Sequence, residues 1–139
     1  MMPIFLEIVT PAREVFSGEA SSVIIPTALG EIEILPEHRP IIALVWPGNV
    51  LVSTIVNLEN IAVSSGFLNL RNNRLSILVD EAVDIKFVDI DSVKDAKEAA
   101  EKALEIMRSK SNYDQEEIEK IEAKIRYHIA QLVGKANIR

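Results

Sequence analysis

The chain has 139 residues, 21 acidic against 15 basic side chains, a net charge of −6 and no cysteine. That length suits one domain, or one core with an appendage, and a core of this size holds without a metal or disulfide staple. The missing cysteine excludes disulfides, thiolate zinc sites and a cysteine nucleophile, and the acidic balance argues against non-specific nucleic-acid binding through phosphate neutralisation.

The charge is unevenly spread. Residues 1–90 hold 5 basic and 11 acidic groups, residues 91–139 hold 10 of each, and all six prolines fall between residues 3 and 47. We expect two architectures, divided into 1–88 and 89–139. The opening MMPIFLEIVTPAREVF has no basic start and long apolar core, so no secretory signal is expected. No apolar run approaches the roughly 20 residues that span a bilayer.

The first part reads as β. FLEIVT (5–10) alternates faces and ends at Pro11. SSVIIP (21–26) is a short β-branched run. EIEIL (31–35) alternates strictly, with Ile32 and Ile34 on one face and Glu31 and Glu33 on the other. IIALVW (41–46) is apolar on both faces, which predicts a central strand with Trp46 in the core at its end. PGN (47–49) predicts a hairpin into VLVSTIV (50–56). NIAVSS (60–65) and FLNL (67–70) meet near Gly66, where a bulky residue would fit a bend poorly. RNNR (71–74) is a tight turn, since Asn tolerates left-handed backbone angles, and LSILV (75–79) follows. Short strands at this spacing predict an antiparallel β-sandwich of about ten strands.

From Asp91 the period changes. Val93, Ala96, Ala100, Ala103 and Met107 form one helical stripe, with Asp91 as the expected N-cap. SKSNYD (109–114) interrupts it. Asp114 then caps a second helix, with Glu117 giving the shape of a capping box and Ile118, Ile121, Ile125, Ile129 and Leu132 as its stripe. A short polar loop makes these helices an antiparallel hairpin. A lone hairpin buries little area, so its hold on itself and on the sandwich is expected to be marginal.

GEIEILPEHRP (30–40) is the densest cluster of polar chemistry. Glu31 and Glu33 share a strand face, as a glycosidase pair would, but a half-buried strand also puts charge on its wet side, and no aromatic platform for a sugar is visible. His38 lacks metal-ligand spacing to His128, the only other histidine. Neither a nucleophile elbow nor a glycine-rich phosphate loop occurs. A charged, proline-bounded loop that covers a sheet edge or binds a partner is what remains, and composition does not choose between the two.

The ordered motifs go further. IVTPAREVFSGEASSVIIPTALGEIEILPEHRPII and IAVSSGFLNLRNNRLSILVDEA resemble the epsilon subunit of F-type ATP synthases, the mitochondrial delta. Members of that family carry T-P, V-F-S-G-E and G-E-L-G-I-L-P-G-H-A-P-L, then A-V-S-G-G-F-L-E-V. The resemblance spans the chain and is strongest through residue 91. It implies a non-catalytic rotor subunit of the central stalk, bound to the gamma subunit and the c-subunit ring, with a hairpin able to extend and inhibit ATP hydrolysis. Its expected place is the cytoplasmic face of a bacterial inner membrane, as a peripheral protein, in preference to the stromal face of a thylakoid. A stand-alone ligand-binding sandwich is the alternative.

On this resemblance Glu31, Ile32, Glu33, Pro36, Glu37, His38 and Arg39 face the c ring and gamma. Glu33, Glu37 and Arg39 stand where the family has Gly, Gly and Ala. The lost glycines imply altered loop geometry, and the added charges imply a basic loop on the facing c subunit. Ile90, Asp91 and Lys94 align with the family's nucleotide motif I-D-x-x-R-A. Lysine there lacks the arginine fork and Asp95 adds repulsion toward phosphate, so no cofactor is expected. Lys120, Lys124, Arg126, Lys135 and Arg139 are the candidate inhibitory contacts to acidic loops of the catalytic alpha and beta subunits. The competing reading makes them a solvated face paired with Glu116, Glu119 and Glu122.

Overall fold

A computed structural model describes residues 2–136. Ten strands come first: β1 (Ile4–Val9), β2 (Glu14–Ala20), β3 (Ser22–Thr27), β4 (Gly30–Ile34), β5 (Ile41–Val45), β6 (Gly48–Ser53), β7 (Leu58–Val63), β8 (Gly66–Arg71), β9 (Arg74–Val79) and β10 (Ala82–Asp84). A 3-10 turn at Ile85–Phe87 leads into helices α1 (Ile90–Ser109) and α2 (Gln115–Ala136). The strands run in the order β10-β7-β6-β3-β5-β8-β9-β1-β2, with β4 paired to β3. Alternation places Ile4, Leu6 and Ile8 of β1 inside. They meet Val23, Ile25, Val50, Val52, Leu68, Leu70, Leu75 and Ile77, all essentially sealed from water. Burial of this kind is worth roughly 1.5–3 kcal/mol per large aliphatic side chain and holds the sandwich together.

Three expectations change. The pairing is antiparallel except between β1 and β9, which run parallel from Phe5↔Arg74 to Val9↔Leu78. The seven intervening strands give that pair the long crossover a parallel ladder requires. Residues 47–49 make no hairpin: β5 pairs with β8, whereas β6 pairs with β3 and β7. The Trp46 N–H donates to the Pro26 carbonyl at 3.0 Å, so the chain ends one ladder there before starting the next. Strand β2 carries three polar or charged positions and Gly18, which hides its period from a sequence reading. The turn at Asn72–Asn73 is as expected, with φ of 52° and 62° at the two asparagines.

The hairpin rests on the sandwich through α2. Tyr127 and Ala130 pack with Ala62, Ile85 and Val88. Asn49 Nδ2 donates to the Ala130 carbonyl at 3.0 Å and to Asn60 Oδ1 at 2.9 Å. The α1–α2 seam departs from the expected stripes. On α1 the half-buried or buried positions are Val93, Lys97, Ala100, Leu104 and Met107, and Ala96 and Ala103 face water. On α2, His128 is buried and Ile129 is 41% exposed. Both lie within helical reach of Ile125, and hydrophobicity alone picks the wrong one. Among the described residues neither ring nitrogen of His128 has a hydrogen-bond partner, a cost of about 1–3 kcal/mol that weakens the seam. An Arg108–Glu122 ion pair at 3.4 Å joins the helices, at an exposed site where such pairs contribute little.

Candidate docking surfaces

Part of the outer face of β5, β8 and β9 is apolar and bare. Ile42 is 75% and Leu44 67% exposed, although β5 is the central strand its apolar run predicts, set between β3 and β8. Ladder register places Leu44 opposite Phe67, Phe67 opposite Leu78, and Leu78 opposite Val9, so these four form one row across the sheet. The row opens onto a shallow groove bordered by Thr10, Pro11 and Ser65. Helix α2 covers the outer face at β6 and β7 instead. A contiguous apolar strip of this kind on a soluble chain marks a surface that something else covers.

The cluster at 30–40 divides in two. Glu31, Ile32 and Glu33 belong to β4, an edge strand paired only to β3. Both glutamates are exposed, Ile32 packs on the core and Ile34 is sealed inside it. Pro36, Glu37, His38 and Arg39 form a turn beyond the far end of that strand. Glu37 takes a left-handed bend at φ 67°, and Glu33 lies in ordinary extended backbone. Asn73 enforces the bend: its Oδ1 accepts the Glu37 N–H at 3.0 Å and its Nδ2 donates to the Pro3 carbonyl at 2.9 Å. Locally, the His38 N–H donates to the Leu35 carbonyl, and its Nδ1 lies 2.7 Å from the Arg39 carbonyl. A left-handed non-glycine residue costs roughly 1–2 kcal/mol, partly offset by glycine's greater entropy in the unfolded chain. Glu37→Gly is therefore expected to stabilise the fold by about 0.5–1 kcal/mol in urea unfolding. A loss of stability would show that the glutamate side chain is itself a structural contact.

Ile90, Asp91 and Lys94 sit in the exposed first turn of α1. The N-cap is Asp89, correcting Asp91, and its Oδ2 accepts from Ser92 Oγ at 2.6 Å in place of a backbone N–H. Asp114 caps α2 as expected, accepting the Glu116 N–H at 3.0 Å.

The α2 cations do not share one role. Lys120 pairs with Glu116 at 3.8 Å, and Lys135 Nζ donates to the Lys86 carbonyl at 3.4 Å. Lys124 is exposed beside the groove of Ser64, Asp80 and Glu81. Arg126 lies over Trp46, its Cζ 5.0 Å from the ring centroid. That contact corrects Trp46 from core to a ring 45% exposed. Arg139 lies outside the described residues. Burial pushes the Tyr127 phenol up to about 12, with Glu81 adding to the rise and the Gln131 hydrogen bond and Arg13 opposing it. Sequence reasoning missed Asn49, Asn73 and the packing role of Gly134. Polar side chains that tie distant strands leave no periodic signal.

These features define a small binding module: a rigid sandwich with one bare apolar face, and a helical hairpin laid on another. Residues 3–85 match the family described as ATP synthase, Delta/Epsilon chain, beta-sandwich domain. An ATP synthase epsilon chain of Dichelobacter nodosus is 34% identical over 134 residues, covering 95% of this chain and 94% of that one. That of Desulforamulus reducens is 37% identical over 113 residues, covering 81% and 86%. A chain in the Euglena gracilis mitochondrial ATP synthase shares the fold, with a TM-score of 0.76 at 18% identity over 96% of this chain and 82% of that one. The chain belongs to the ATP synthase delta/epsilon family, whose epsilon chains are non-catalytic subunits of that enzyme. No helix among the described residues is long and apolar enough to cross a membrane.

Proposed function

We propose that this chain is a central-stalk rotor subunit that couples rotation of the c ring to the catalytic head through gamma. The outer face of β5, β8 and β9 docks on gamma. Glu31, Ile32 and Glu33 of the β4 edge, with Pro36 to Arg39 beyond it, contact the c ring and the foot of gamma. The observation that carries the reading is the bare row of Leu44, Phe67 and Leu78, which a free-standing sandwich would keep polar. The structural neighbours come from a mitochondrial synthase with its F1 and c ring and from a Tetrahymena central stalk with c ring, which supports that reading. The α2 cations meet acidic loops of the catalytic subunits when the hairpin extends, and slow hydrolysis. The assembly sits at the cytoplasmic face of a bacterial membrane.

Phe67 points away from the core, so Phe67→Glu leaves the sandwich folded. It places an unpaired carboxylate inside an apolar contact, which costs about 2–4 kcal/mol, a thirtyfold or greater loss of affinity. Titration of purified gamma with the parent and variant chains checks this. Equal affinities would remove that face from the interface.

A further inference from the structure

We propose that Trp46 and Arg126 form a latch that holds the hairpin on the sandwich, and that Arg126 is a two-state cation, sheltered by the indole when docked and offered to carboxylates when released. The second half rests on the inhibitory reading of the hairpin given above. The first half stands on geometry alone.

Arg126 Cζ is 5.0 Å from the Trp46 centroid, inside the roughly 6 Å range in which an indole face attracts a cation. The two residues come from different layers. Trp46 follows β5, and its backbone N–H is tied to the Pro26 carbonyl, which anchors the residue to the sandwich. Arg126 rides on α2. It borders a groove with Glu101, Glu105 and Glu122, yet among the described residues it forms an ion pair with none of them. Its charge is thus turned to the indole rather than to the neighbouring carboxylates. The chain has a single tryptophan, so nothing else on the sandwich can take that place with an indole.

A contact of this size matters because the remaining hold is modest. The α2 footprint includes Tyr127 and Ala130 in a small apolar cluster, the Asn49 bond to the Ala130 carbonyl, Gly134 against Ile85, and the long Lys135 bond to the Lys86 carbonyl. The unpartnered His128 nitrogens subtract from the adjoining seam. When α2 leaves, Trp46 stays with the sandwich and Arg126 departs with the helix. Docking and partner binding by Arg126 therefore exclude one another.

Hydrogen exchange of α2 amides in the full chain tests the latch. Trp46→Leu and Arg126→Gln should each speed exchange about fivefold, and Trp46→Phe by less, because its ring keeps part of the attraction. The double variant should add little to either single one. Trp46 emission should also shift in Arg126→Gln. Unchanged exchange in either single variant, or full additivity in the double, overturns the latch. In the assembled synthase, Trp46→Leu should lower ATP hydrolysis while Arg126→Gln does not. Faster exchange with unchanged hydrolysis keeps the latch and overturns the second use of Arg126.

Discussion

Gly66→Ala is expected to lower the thermal midpoint of the sandwich by roughly 15 °C, from a loss of about 4 kcal/mol or more. Gly66 starts β8 and sits between Val45 of β5 and Val79 of β9. An added Cβ would lie 2.0 Å from the Leu78 carbonyl oxygen and 2.7 Å from the Val79 Cα. Both are backbone atoms of an adjacent paired strand. Relief therefore requires breaking the β8–β9 ladder rather than turning a side chain. Gly66 is not left-handed, so the requirement is space and not conformational freedom. Gly18 provides the control, because the nearest atom to its added Cβ is 3.8 Å away and Gly18→Ala should change little. Thermal unfolding followed by circular dichroism reads both. A midpoint for Gly66→Ala within a few degrees of the parent would mean that the ladder yields.

Gly134→Leu is expected to lift α2 from the sandwich while leaving the helix helical. Gly134 is buried, and a Cβ there would come within 2.6 Å of Ile85 Cδ1 and 2.9 Å of Asn49 Nδ2. A leucine side chain would project into the space where α2 meets the turn at Ile85 and the Asn49 bond. Intrinsic propensity works in the opposite direction, since leucine favours a helix interior over glycine by about 0.8 kcal/mol. Far-ultraviolet circular dichroism should hold or gain helix signal. Exchange at Asn49, Ala62 and the α2 amides should rise tenfold or more, and the β1 and β9 amides should be unaffected. Should α2 stay protected, the close packing of Gly134 is not what seats the helix. Glycine at this position looks in sequence like a weak last turn, but its place in the fold is a landing point.

Much of the architecture could be read from the residue pattern. Alternation found most of the strands, the Asn-Asn turn was explicit, and the change of period near residue 90 marked the hairpin. The failures share one cause. IIALVW contains six apolar residues in a row, and nothing local distinguishes a strand covered on both faces from one whose outer face awaits a partner. Trp46 and His128 erred in opposite senses for the same reason. A tryptophan that reads as core lies half exposed beneath an arginine. A histidine was passed over for its isoleucine neighbour and lies buried.

The candidate docking cluster shows the division most plainly. Its residue types and proline boundaries were visible, as were the places where glutamate stands for glycine. That Asn73 holds Glu37 left-handed follows from a contact across 36 residues of sequence.

By itself, the sequence determined the two architectures, the identity of the core-facing residues in most strands, and a family resemblance dense enough to name a partner class. Those properties are local or nearly so: side-chain period, turn chemistry and ordered motifs are written within a few residues of one another. Only the tertiary structure decided which outer face stays bare, which flank of α2 lands on the sandwich, and which arginine meets the tryptophan. Each depends on what lies opposite in space, and burial is a property of the pair of surfaces that meet, not of either segment alone.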